Sequence, residues 1–131
     1  MVSETIIWDI IGLARTDMAA FTLSVQIVSK LVFVYDQNIR NIYFIRDVYS
    51  VVAQLENKKT MTIARAVART SHLIWDHMTP HQMEMYFGRI LYIEPTPREM
   101  IIYFAYYLSG KPFYRLLWTL LLMWIYIAKS L

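Results

Sequence analysis

Lys58, Lys59, Arg65 and Arg69 carry the most pointed chemistry in this sequence. They are the only charged residues between Glu56 and Asp76, in a chain whose formal net charge is +3. The positive excess is therefore concentrated in one short stretch, and the rest of the chain is slightly negative. Clustered charge, unlike net charge, marks where a polyanion docks. Arg65 and Arg69 are one helical turn apart and share a face. A guanidinium can bond two acceptors on a guanine edge. Both are therefore candidate base contacts, together with Thr62 on the same side. Lys58, Lys59 and Thr60, just ahead of that helix, are placed to hold phosphates, with Arg46 and Arg40 further back.

Other chemistries find less support in the residues. His77 and His81 are four apart, near Asp76 and Glu84, a spacing that suits zinc on one helical face. Thr79-Pro80 falls between them and interrupts that face, so no metal or cofactor is expected. Cysteine is absent, which excludes disulfides and thiolate chemistry and fits a reducing compartment. The three glycines, Gly12, Gly88 and Gly110, form no phosphate-binding loop. Ser, His and Asp make no telling nucleophile motif. The aromatic run Tyr103, Phe104, Tyr106 and Tyr107 reads as packing rather than a base-stacking platform. The chain is not expected to be an enzyme.

The elements that position the basic residues are helical. Apolar residues recur at three- and four-residue steps almost throughout, with no hairpin signal and no repeat. Ile6, Ile7, Ile10, Ile11 and Leu13 form a short amphipathic stretch, and Thr16 or Asp17 reads as the cap of the next helix. That helix spans Met18 to Tyr35, with Phe21, Val25, Val28, Leu31, Val32 and Tyr35 inward, and Asp36-Gln37-Asn38 stops it. Ile39 to Glu56 reads as one helix or two, its inner face marked by Ile42, Ile45, Val48, Val52 and Leu55. Asn57 tolerates the left-handed backbone that closes a helix. A second helix from Thr60 or Met61 to His77 turns Ile63, Val67, Thr70 and Ile74 inward. Thr79-Pro80 opens another, ending near Phe87-Gly88. Thr96, Pro97 and Glu99 give a capping-box start to a helix closed by Ser109-Gly110.

Ala53, a small residue four positions before Asn57, allows the first helix to approach the second closely. A helix-turn-helix has these parts: a small contact residue, a permissive turn, and an apolar inner face behind polar outer residues. The plainer alternative is a helical hairpin with a solvated basic face.

In this pattern the sequence resembles the C-terminal DNA-binding effector domain of the stage zero sporulation protein A family, the master response regulator of endospore formation in Firmicutes. The family's L-Y-P-x-I-A segment corresponds to Val48-Tyr49-Ser50-Val51-Val52-Ala53. Its recognition helix, R-V-E-R-A-I-R-H-A-I-x-x-x-W, corresponds to the run from Thr62 to Trp75, with Arg65-Ala66 and Trp75 in register. Its L-F-G corresponds to Tyr86-Phe87-Gly88, and its K-P-T-N-S-E-F-I to the run from Glu94 to Ile101. The resemblance covers about two thirds of the chain, from Val25 to Gly88 and again from Glu94. It implies a compact bundle of about six helices around a helix-turn-helix, binding promoter DNA as a dimer. Departures fall on the groove-facing side: Thr62, Ala64, Ala68 and Arg69 replace the family's Arg, Glu, Arg and His, and Arg46 replaces a Lys. No receiver domain is expected, and hence no phosphorylation control within the chain.

Length and composition fit this outline. A chain of 131 residues suits one domain with a real core. Hydrophobic residues make up 57% of it, above the usual range. The expected organisation is an amphipathic N-terminal segment over 1–17, a helix-turn-helix domain over 18–110, and an extra apolar C-terminal helix over 111–131. The last segment has three readings: a buried core or dimer helix, a membrane anchor through residues 113–128 flanked by Lys111, Arg115 and Lys129, or an unstructured tail. A spanning helix needs roughly 20 apolar residues, and this run falls short. The N-terminus, with Glu4 and Asp9, lacks the basic start of a secretory signal. Sequence alone thus points to an all-α, cytoplasmic, bacterial regulator of transcription that binds double-stranded DNA, as a homodimer. The alternative is a protein-interaction module that oligomerises through its apolar C-terminal helix, with membrane tethering as a variant of either.

Overall fold

The computed structural model describes residues 2–12, 18–110 and 127–129. Among them are six α-helices: α1 (Val2–Ile11), α2 (Ala19–Phe33), α3 (Ser50–Glu56), α4 (Thr60–His77), α5 (Pro80–Phe87) and α6 (Pro97–Leu108). A 3-10 turn at Ile39–Asn41 and a π-helical segment at Phe44–Tyr49 lie between α2 and α3. The described residues contain no strand, so the chain is all-α, as its spacing predicts. The expected cap at Thr16 or Asp17 and all but the last two residues of the apolar C-terminal run from Phe113 to Ala128 lie outside the described residues. No helix of the described residues is long and apolar enough to cross a membrane.

Helix α4 is the hub, because its inner face is apolar over its whole length. Ile63, Ala66, Val67, Thr70, Ser71 and Ile74 are buried at three- and four-residue steps. Helices α1, α2, α3 and α6 all pack against it. Ile7, Ile10 and Ile11 of α1 are buried in this core. On α6, Met100, Ile101, Phe104 and Ala105 are buried, and the Phe104 ring meets Phe21 edge-on at 6.0 Å. Phe87 and Tyr86 of α5 stand 6.3 Å and 5.6 Å from the same ring. Burying a side chain of this size stabilises the fold by roughly 1.5–3 kcal/mol. In α2, Thr22 and Ser24 are buried and donate to the carbonyls of Met18 (3.1 Å) and Ala20 (2.7 Å), which satisfies both hydroxyls.

The helix boundaries follow local chemistry. Thr79 and Thr96 each accept from a backbone N–H three residues on, Gln82 at 3.1 Å and Glu99 at 3.2 Å. Gln82 and Glu99 return a bond to the capping residue's N–H, and Pro80 and Pro97 fill the first helical positions. Asn57 closes α3 with φ 53° and ψ 49°. A branched side chain is strained there, so Asn57→Val should cost about 1–2 kcal/mol in urea unfolding while Asn57→Gly should be close to neutral. Equal stability of the two variants would remove the left-handed turn from the account.

Three inward assignments are corrected. Tyr35 is 68% exposed, because α2 ends at Phe33 and Asp36 turns the chain with φ 55°. Ile45 and Leu55 are 67% and 65% exposed. The stretch Ile39 to Glu56 is not one α-helix or two but a 3-10 turn, a π-helical segment and the short α3. The π segment holds more residues per turn than an α-helix. Within it Phe44, Val48 and Tyr49 are buried and Ile45 is turned outside, while in α3 the buried residues are Val52 and Ala53 and Leu55, in the last turn, faces outward.

Candidate nucleic-acid interface

The basic residues are positioned by the α3–α4 pair. Ala53 is buried against its neighbours, and its small side chain keeps the two helices close. The turn is closed by the Lys58 N–H reaching back to the Ala53 carbonyl at 2.9 Å and the Asn57 N–H to that of Gln54 at 3.3 Å. With its inner face committed to the core, α4 presents Met61, Thr62, Arg65, Ala68 and Arg69 to solvent. Lys58 and Lys59 are exposed on the turn, and Thr60 is half-buried at the first position of α4. The structure thus brings six of the eight expected contact residues to one helix end and the outer side of the same helix.

The charge of the two arginines is available. Among the described residues, no carboxylate pairs with Arg65 or Arg69. Lys59 occupies the N-cap of α4 with an extended backbone and provides no side-chain acceptor, whereas Thr79 and Thr96 cap α5 and α6. The first N–H groups of a helix have no partner within it and sit at the positive end of its dipole. The N-terminal half of α4 therefore combines backbone donors, two turn lysines and two arginines.

The basic face ends at His72. Its Nδ1 lies 2.8 Å from Glu94 Oε1 and its Nε2 lies 3.2 Å from Asp76 Oδ2. The bond to Glu94, then the charges of Asp76 and Glu94, raise the His72 pKa. Glu94 belongs to the connection between α5 and α6, so this contact ties that connection to α4. The bond to Asp76 was legible as a four-residue helical step. The bond to Glu94, 22 residues away, had no local signal. Because the folded pKa is raised, the stabilising contribution is complete below the unfolded value near 6.5 and fades as pH rises through the folded value. Amides of residues 90–96 should exchange faster as pH rises through that window, after correction for intrinsic exchange, and a His72→Gln protein should lack the step. A flat profile in the unaltered protein would refute this.

Arg46 stands apart from the turn lysines. Its Nε lies 2.7 Å from Asp47 Oδ1, and its guanidinium sits 4.7 Å over the Tyr43 ring. Asp47 also accepts from the Tyr43 N–H at 2.9 Å, and these two bonds, Arg46's the larger, hold its carboxyl below the usual range. A phosphate contact by Arg46 would have to compete with Asp47. Arg40, on the 3-10 turn, lines a different depression with Arg98. His77 ends α4, and Pro80 starts α5 before His81, so the two rings do not share a helix. Among the described residues, no group of three or more His, Asp and Glu side chains could hold a metal ion.

Family models, curated proteins and solved structures yield no match to this chain.

Proposed function

We propose that this protein binds double-stranded DNA sequence-specifically through α4 and regulates transcription, in the manner of the sporulation effector domain it resembles. The observation that carries this reading is the pair Arg65 and Arg69, exposed and, among the described residues, free of carboxylate partners on the outer face of the second helix of a tightly turned pair. Arg65, Arg69 and Thr62 address base edges in the major groove, and the exposed Met61 is suited to a thymine methyl group. Lys58, Lys59, Thr60 and the α4 N-terminus hold phosphates and fix the register. The protein acts as a homodimer on paired half-sites, in the cytoplasm of a bacterium.

A gel-shift titration against a random-sequence duplex pool tests this at several salt concentrations. Affinity should fall steeply with salt, with a log–log slope of about −0.9 per phosphate neutralised. The Lys58→Ala and Lys59→Ala variants should each lower that slope by about 1 and weaken all sequences alike. Binding that ignores salt would end the proposal.

A second reading is a protein-interaction module that oligomerises without DNA. It draws on Val51 and Leu55, exposed one turn apart on the outer side of α3, and on the apolar run from Phe113. Sedimentation of the chain with and without residues 112–131 separates the two: an obligate oligomer indifferent to DNA supports this second reading.

A further inference from the structure

A groove follows the outer side of α6, separate from the basic face of α4. It consists of three adjoining depressions with volumes of about 540, 280 and 300 Å³. Glu99 lines all three; Tyr103 joins the first to the second, and Ile39 and Ile102 join the second to the third. Ile39 and Ile102 are half-buried and form an apolar floor.

Three arginines from three elements surround this floor. Arg40 comes from the 3-10 turn, Arg89 from the connection after α5, and Arg98 from the first turn of α6. Among the described residues none of them pairs with a carboxylate. Arg89 donates to the Tyr103 hydroxyl at 3.4 Å, and Arg98 lies 5.8 Å over the Phe44 ring. Both contacts orient a guanidinium without neutralising it. The two carboxylates along the groove are already engaged: Glu99 caps α6 through Thr96, and Glu94 is bonded to His72.

We infer that this groove docks an acidic amphipathic segment of a partner protein. Its apolar side chains would lie on Ile39 and Ile102, and its carboxylates would pair with Arg40, Arg89 and Arg98. Arg–carboxylate pairs flanking an apolar strip are the complement of an amphipathic helix laid in a groove. A nucleic-acid backbone fits less well, since it has no apolar face to cover the floor. The chain's own C-terminal run has the wrong sign: it carries Lys111, Arg115 and Lys129, and no acidic residue follows Glu99. The inference does not depend on DNA binding by α4.

Selection of short random peptides displayed on phage against the full chain tests it. The enriched peptides should carry Asp or Glu together with Leu, Ile or Phe at three- and four-residue spacing. In fluorescence anisotropy they should bind the Arg89→Ala/Arg98→Ala protein about tenfold or more weakly, the loss expected for two partly exposed charge pairs. They should bind the Arg65→Ala/Arg69→Ala protein unchanged. Arg89→Glu, checked for folding by circular dichroism, should shift the selected peptides towards lysine. Enriched peptides without acidic residues, or equal binding to the Arg89→Ala/Arg98→Ala protein, would overturn the proposal. So would displacement of the peptides by random duplex DNA, or a homodimer in sedimentation that Arg89→Glu dissociates.

Discussion

The Arg65→Ala/Arg69→Ala protein should fold normally and bind DNA with no preference among sequences. Both side chains are exposed on α4 and bond to no described carboxylate, so removing them leaves no orphaned partner. Surface changes of this kind alter stability by no more than about 0.5 kcal/mol. Each bidentate contact to a guanine edge discriminates by about 1–3 kcal/mol, roughly tenfold to a hundredfold per position. Residual binding should keep its salt dependence, because the turn lysines and the α4 N-terminus remain. Selection from a random duplex pool, run in parallel on both proteins, is the deciding measurement. An enriched motif that survives in the double variant would remove the arginines from the reading role.

Phe104→Ala should cost about 3–5 kcal/mol of stability, the range for truncating a buried aromatic side chain. Phe104 is 2% exposed and lies where rings from three helices converge, Phe21 of α2 and Tyr86 and Phe87 of α5 against α6. A domain of this size has only about 5–15 kcal/mol in total, so the change should remove a large share of it. Phe104→Leu, which keeps most of the volume, should cost much less. Urea denaturation followed by circular dichroism measures both. A loss for Phe104→Ala below about 1 kcal/mol would mean that the α2–α5–α6 contact is not a principal source of stability.

The parts of the fold that were legible in the sequence are those fixed by neighbours a few residues apart. The inner face of α4, the helix start at Thr79-Pro80, the capping box at Thr96, the left-handed Asn57 and the end of α6 at Ser109-Gly110 all follow from local chemistry. The lead-in to α3 was misphased because a uniform period of 3.6 residues was carried across a π-helical segment. This placed Ile45 inside, whereas Leu55 fails separately: it lies in the last turn of α3, where the buried side is Val52 and Ala53. Tyr35 failed for a related reason: apolar spacing continued past the point where the chain stopped being helical. At the candidate site, Lys58, Lys59, Arg65 and Arg69 were visible as a run within one element. The Glu94 contact to His72 and the gathering of Arg40, Arg89 and Arg98 were not. Those groups are brought together only by the packing of α6 and its connections, which no local spacing encodes.

The π-helical segment also bears on how this chain compares with any other. One residue beyond the α-helical count turns everything ahead of it by about 100° relative to α3. A chain that enters the same helix pair through a plain α-helix therefore needs one residue fewer between Phe44 and Tyr49 to point its side chains the same way. Deleting a single residue there should heal the widened turn and swing Tyr43 and Arg46 to a new side of the molecule, with α4 untouched. Within Phe44–Tyr49, equivalence of position and equivalence of direction come apart, and a gapless pairing of sequences through it would match residues that face different ways.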